Sequence, residues 1–459
     1  MSEKKTVWET LSKEAREAAF SVSEEYKDFL NHGKTEREFQ KEAIRYLEEK
    51  GFRPLSSYDF LKPGDKVYVG NRKKGLIAAV MSNNMEDGLR IVGAHIDSPR
   101  LDLKQNPLYE DESLALFKTH YYGGIKKYQW TTIPLSLHGV VMKKDGTKSE
   151  FSIGEEGDDV TFCISDLLPH LATSQMSKKL AQAIEGESLN IVCGSLPGEE
   201  EKDPVKEAIL AILKERYGFS EEDFACAEIE AVPAFSAKDV GFDKGLVGGY
   251  GQDDRVCAYT ALRAIGEVEN PHKTAVCLLV DKEEIGSMGN TGMQSRFFED
   301  TMAYLAEKMG DYSDLVLRRS FGKSACLSAD VTAGMDPSYK SVQEKMNATC
   351  LGYGTAIAKF TGSRGKSGSS DANAEFLAYV RRVFDENGVL WQTGELGKVD
   401  EGGGGTIAQF MANLNIDTLD CGVALLSMHS PYELAAKTDI YMTYLAYRAF
   451  FESNGYWYE

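Results

Sequence analysis

Glu283 and Glu284 are adjacent in the run Asp281-Lys282-Glu283-Glu284-Ile285-Gly286-Ser287, directly after the apolar stretch 274–280. That stretch is short, apolar and free of Pro and Gly, so it predicts a buried strand. Two carboxylates at the mouth of a buried strand are costly unless something positive faces them. A metal site meets that need, with one Glu holding the metal and its neighbour handling a proton.

Four further groups supply residues of the same kind. His95-Ile96-Asp97 closes a predicted strand. A metal-binding imidazole needs a carboxylate or carbonyl on its other nitrogen, and Asp97 supplies one if the strand end loosens into a turn. Gly251-Gln252-Asp253-Asp254-Arg255 opens a predicted helix, where Asp serves as a cap or as a ligand. Ser328-Ala329-Asp330 and Met428-His429-Ser430 end two more strands. Taken singly, each group reads as ordinary capping, a solvated pair or a structural histidine. Taken together, all of them fall at strand ends or a helix start of one α/β unit, where open sheets place their ligands. Imidazole and carboxylate without thiolate suit hard-to-borderline divalent metals.

Charge counting favours two ions. Asp253, Glu284 and Asp330 bring three negative charges; two Zn²⁺ bring four positive ones, and a hydroxide balances the remainder. A hydroxide bridging two metals is a potent nucleophile at neutral pH. Glu283 then takes the proton of the attacking water and passes it to the leaving amine.

The elements that must position these residues alternate between helix and strand. A helix is predicted over 7–31 and a second from Thr35, where Thr35 and Glu38 make a capping box, to Gly51. Strands are predicted over 76–81 and 89–94. After about Leu103 the texture turns β-rich, as in 131–142 and 227–232. From Gly245 the alternation returns, with helices over 253–268, 293–309, 371–386 and 431–451, and strands over 274–280, 324–329, 389–392 and 418–426. The expectation is an α/β fold in which helices sandwich a central mixed sheet. Residues 1–103 plus 242–459 form the catalytic domain, and 104–241 form an inserted β-rich domain. The Gly402 to Gly405 run is a local turn that, with Thr406, lines a substrate backbone or simply bends.

Composition narrows the function. The chain has 459 residues and a formal charge of 52 − 71 = −19. Such acidity disfavours nucleic acid and anionic lipid as partners. No stretch approaches the roughly 18 apolar residues of a membrane span. The eight cysteines are scattered singly, so the expectation is reduced thiols in a cytoplasmic protein.

The five motifs, in this order and over nearly the whole chain, resemble the M18 family of metalloaminopeptidases. The resemblance implies a zinc-exopeptidase-like fold and an enzyme that removes N-terminal residues from peptides with a free N-terminus. It implies two divalent metal ions, most readily Zn²⁺ with Co²⁺ or Mn²⁺ as alternatives. The ligands are His95, Asp253, Glu284, Asp330 and His429, with Asp253 bridging, Glu283 as general base and Asp97 orienting His95. A cis peptide after the bridging Asp is also implied. The inserted segment corresponds to the family's dimerisation domain, with dimers assembling into a tetrahedral dodecamer. His170, in Leu167-Leu168-Pro169-His170-Leu171-Ala172, would then stabilise an oxyanion in a neighbouring subunit. Gln252-Asp253-Asp254-Arg255 resembles the branch that prefers neutral, apolar first residues. Lys366 falls near a basic position associated with acidic ones, and Gly404 near the substrate backbone. Two other readings are an aspartyl aminopeptidase of the same family and a catalytically silent cage-forming scaffold. A deacylase or carboxypeptidase on the same scaffold is a further alternative.

Overall fold

Strand Thr274–Val280 forms where expected and is buried at every position. Its side chains divide by the period of two that a strand imposes. Ala275, Cys277 and Leu279 join one core, with Tyr26, Leu47, Leu262, Phe376 and Phe450 from helices Lys13–His32, Glu36–Glu49, Gln252–Gly266, Ala374–Glu386 and Lys437–Glu452. Val276, Leu278 and Val280 join a second core, with Phe298, Leu305, Phe321 and Met411 from helices Phe297–Lys308, Asp314–Gly322 and Ala408–Ala412. The neighbouring strand Leu76–Val80 divides the same way. Helices therefore cover both faces of this sheet. Each fully buried Leu or Phe contributes roughly 1.5–3 kcal/mol to holding the layers together.

The computed structural model describes residues 5–310 and 312–458. The chain divides into two compact units. The first comprises residues up to Asp97, Ala237–Met428 and the segment from Glu433 onward; the second comprises Ser98–Ser236 and His429–Tyr432. The segment His429–Tyr432 is grouped with the second unit and not with the expected 242–459 stretch.

The main sheet of the first unit is nine-stranded and mixed. Its order is Arg53–Pro54, Lys66–Gly70, Leu76–Val80, Thr274–Val280, Leu89–His95, Ala325–Ser328, Asp417–Gly422, Thr355–Ala358, Trp391–Thr393. The four strands from Thr274–Val280 to Asp417–Gly422 run parallel. Val280 is in register with His95, and Gly93 with Ser328, so three strands end along one edge. A five-stranded sheet in the same unit contains Leu246–Gly249 and Glu433–Ala436.

Several expected elements differ at their ends. The first helix is broken at Leu11, because the Ser12 hydroxyl caps a new helix by accepting from Ala15 N at 3.2 Å. The last helix begins at Lys437 rather than at residue 431, because Glu433–Ala436 pairs with Leu246–Gly249. The helix expected from residue 293 begins at Phe297. Helix Asp314–Gly322, capped by Ser313, was not expected. The capping box of Thr35 and Glu38 forms as read.

The second unit holds a seven-stranded sheet in which every pairing is antiparallel. Leu135–Met142 and Ala227–Pro233 lie side by side in it. Arg100 ties its own strand to the next: Nε lies 2.8 Å from Asp102 Oδ1 and 3.1 Å from Glu230 Oε2, and the guanidinium lies 3.8 Å from the Tyr122 ring centroid. All eight cysteines are free thiols. Among the described residues no helix is long and apolar enough to cross a membrane.

Candidate metal centre

The strand Leu89–His95 stops at its histidine, and the chain turns there. The turn brings Asp97 back beneath the ring. His95 Nδ1 lies 3.0 Å from the Asp97 carbonyl oxygen and 3.2 Å from Asp97 Oδ1. The same carboxylate also accepts from the catalytic-loop candidates: Glu283 N donates to Oδ1 at 3.1 Å and Glu284 N to Oδ2 at 3.2 Å. Asp97 thus fixes the imidazole and the two-glutamate segment at once.

With Nδ1 engaged, Nε2 points at carboxylates. It lies 3.2 Å from Asp253 Oδ1, 3.9 Å from Asp330 Oδ1 and 4.0 Å from Glu283 Oε2. Asp253 and Asp254 are not ordinary caps. Gly251 enters the segment in the left-handed region at φ 73°, which favours glycine. Asp253 (φ −82°, ψ 108°) and Asp254 (φ −114°, ψ 29°) depart from helical geometry, and the peptide between them is cis. Both side chains are buried. Glu433 braces them from behind, its Oε2 accepting from Asp253 N at 3.1 Å and its carbonyl accepting from Gln252 Nε2 at 2.6 Å.

Two groups of side chains bring ligand atoms within 4.8 Å of one another: His95, Asp253 and Glu284, and His95, Asp254 and Asp330. The position of Asp330 depends on a close approach. A Cβ at Gly422 would stand 2.1 Å from the Asp330 carbonyl oxygen, so the neighbouring strand carries glycine there.

The electrostatics are those of a cage for cations. Burial alone would lower the His95 pKa, but Asp253, Asp97 and Asp330 hold it well above the ordinary histidine value. Burial pushes Asp330 well above the usual carboxylate range, reinforced by Asp254. Burial does the same to Asp254; His95 draws it down and Asp253 pushes it up. Both Asp254 oxygens are buried without a well-formed hydrogen bond. Such a group costs roughly 1–3 kcal/mol or more if nothing compensates it. Divalent cations compensate it, and imidazole with carboxylates is the donor set that zinc and similar ions take. The residues present therefore fit a metal.

The other residues singled out by sequence are not members of these two groups. His429, at φ 64°, is in the second unit, with Nδ1 2.7 Å from the Gly124 carbonyl oxygen. His170 is exposed on the short 3₁₀ turn Pro169–Leu171 of the second unit. Lys366 Nζ lies 3.0 Å from Asp371 Oδ2 and 3.9 Å from the Phe360 ring centroid. Gly404 pairs with Gly362 in a two-stranded ribbon that joins the Gly-run to the Lys366 loop. Thr406 turns inward and donates to Asp420 Oδ1 at 2.7 Å. Two residues of the centre escaped sequence reading. Asp254 was visible only as one of a doubled Asp, and Glu433 carried no signal because its segment reads as helix.

Residues 29–451 match the family described as aminopeptidase I zinc metalloprotease (M18). A probable M18 family aminopeptidase 1 of Clostridium acetobutylicum is 52% identical over 457 residues, covering 98% of each chain. The crystal structure of an M18 family aminopeptidase from Thermotoga maritima superposes with a TM-score of 0.95 at 49% identity, covering 98% of this chain and 100% of that one. The mApe1 dodecamer of S. cerevisiae shares the fold at 20% identity, with a TM-score of 0.77, covering 94% of this chain and 96% of that one. The chain belongs to the M18 family of zinc metalloproteases and is a metalloaminopeptidase, a hydrolase of peptide bonds.

Proposed function

We propose that this aminopeptidase works with two divalent ions, zinc in the first place, and removes neutral or apolar first residues from peptides with a free N-terminus. One observation carries the reading: ligand atoms of His95, Asp253, Glu284, Asp254 and Asp330 gather in two overlapping groups. These two groups share His95, so a second imidazole is needed to serve a second ion. His429 is that residue. Its Nδ1 is engaged by a backbone carbonyl, which makes Nε2 the ligating nitrogen. Asp253 is the shared carboxylate, with Glu284, Asp330 and the two histidines completing the set.

Bound there, the ions would polarise the scissile carbonyl and make a water nucleophilic at neutral pH. Glu283 takes the proton of the attacking water and returns it to the departing amine. Its backbone N–H is fixed on Asp97, and its Oε2 lies 4.0 Å from His95 Nε2, close to the cage. Asp97 holds the His95 ring in one orientation. Lys366 is engaged by Asp371 and stacked on Phe360, which supports a neutral preference over an acidic one.

The second unit is the dimerisation domain in this reading, with dimers building a tetrahedral dodecamer. The exposed Leu167, Leu168 and Leu171 around His170 support an interface there. His170 then donates to the oxyanion in the site of a second copy.

The test is hydrolysis of Leu-p-nitroanilide against its N-acetylated form. The reading expects release from the free amine alone, loss with a chelator and recovery with Zn²⁺. Equal hydrolysis of both substrates, or activity indifferent to chelation, overturns it.

A further inference from the structure

The general base stands on a loop whose stability has an unusual source. The chain leaves strand Thr274–Val280 at Asp281, carries Glu283 and Glu284 through a 3₁₀ turn and returns at Thr291. Between Asp281 and Thr291 only Ser287 is buried. Ile285 and Met288, the large apolar side chains of the loop, are 51% and 67% exposed. Hydrophobic packing therefore does little to hold the loop, and hydrogen bonds must do so.

Those bonds converge on its base. The Thr291 hydroxyl donates to Asp281 Oδ2 at 2.6 Å, and Asp281 N donates to the Thr291 carbonyl at 3.2 Å. Both residues are buried, at 3% and 1% exposure. Inside the loop, Ser287 N donates to Lys282 O at 2.6 Å and Gln294 N to Ser287 O at 3.0 Å. From outside, the buried Asn71 donates through Nδ2 to the Asn290 carbonyl at 3.0 Å. The loop hangs between this clasp and the Asp97 carboxylate, with Glu283 between the two.

We propose that Thr291 and Asp281 are positioning residues that close the catalytic loop and fix the carboxylate of Glu283 for proton transfer. The inference rests on Glu283 being the general base. Proton transfer is sensitive to placement: a displacement of about 1 Å can cost about 100-fold in rate. Removing the hydroxyl while keeping the side-chain shape should therefore lower kcat even at saturating zinc and leave substrate binding alone; any loss of zinc affinity falls on Glu284, which the same loop carries.

The experiment compares Thr291→Val, Thr291→Ser, Glu283→Gln and the double variant Thr291→Val/Glu283→Gln on Leu-p-nitroanilide, with zinc content measured for each. At saturating zinc, Thr291→Val should lower kcat about 10- to 100-fold with KM nearly unchanged, and Thr291→Ser should restore it. In the Glu283→Gln background, Thr291→Val should cost nothing further, because its partner in the reaction is already gone. If Thr291→Val does not fold, Thr291→Ala, which also removes the hydroxyl, carries the same comparison. Near-normal kcat in Thr291→Val beside an inactive Glu283→Gln overturns the clasp alone. Equal losses from Thr291→Val in both backgrounds also overturn it, as a structural effect. An active Glu283→Gln overturns the base assignment, and the clasp with it.

Discussion

Asp97→Asn separates a positioned cage from a loose cluster of acids. The Asp97 side chain is fully buried and serves three donors: Glu283 N, Glu284 N and His95 Nδ1. An amide replaces one oxygen with an NH₂ group. Oδ1 faces Glu283 N, and Oδ2 faces Glu284 N. Whichever oxygen is lost, one backbone N–H then meets a donor instead of an acceptor. A charge-assisted hydrogen bond of this kind contributes about 1.5–3 kcal/mol, or roughly 10- to 150-fold in an equilibrium constant. Part of that loss falls on the His95 orientation. Partners of a metal-ligating histidine typically cost about 10- to 100-fold in metal affinity when removed. The assay is zinc titration against a chelating dye, with kcat measured separately at saturating zinc. Zinc affinity should fall about 10- to 100-fold, and kcat should stay low even when zinc is restored, because Glu283 has lost its anchor. Zinc affinity and kcat both within about two-fold of the parent would refute the reasoning, since a second-sphere carboxylate cannot be that dispensable.

Gly422→Ala should yield an unstable or inactive protein, because its Cβ meets the Asp330 carbonyl at 2.1 Å; a melting temperature and activity equal to the parent's would contradict the close approach. Stability should fall as pH rises from about 4 to 7 through Asp439. Burial holds its pKa at about 7 against the N–H groups of Gly352 and Gly354. The folded state therefore keeps a proton that the unfolded chain has released, which amounts to about 4 kcal/mol over the window. Denaturant titrations of Asp439→Asn should show a flatter pH dependence there, and an unchanged slope would dismiss the effect. His170→Ala should keep the oligomer mass by light scattering and lower kcat about 100- to 1,000-fold, as loss of one oxyanion donor does; an unchanged kcat would remove His170 from the site.

Much of the centre was legible because its residues sit where strands end. Thr274–Val280 announced itself by an apolar run of the right length, and the acids after it stood out against that burial. His95, Asp253, Glu284 and Asp330 were all recognisable from residue type and place, and each belongs to one or both of the two groups around His95. Asp254 was not, because a second Asp at a helix start reads as capping. Only the departure of Asp253 and Asp254 from helical φ and ψ turns both inward, and that is a tertiary fact. Glu433 was hidden for a similar reason. Its strand forms between Leu246–Gly249 and Ala424–Leu426, while the local sequence favours continuing the helix. The clasp of Asp281 with Thr291 spans a loop that no periodicity marks. The sequence changes texture after about Leu103 and again near Gly245, but nothing in it marks the passage of His429–Tyr432 into the second unit.

The proposal that these scattered imidazoles and carboxylates hold two cations is open to direct measurement. Anomalous diffraction from crystals grown with zinc, recorded on both sides of the zinc edge, tests it most directly. Two anomalous peaks are expected, one beside His95 and one beside His429, with Asp253, Glu284 and Asp330 completing the ligands. A single peak, or zinc bound elsewhere with Asp253, Glu284 and Asp330 left without metal, would contradict it.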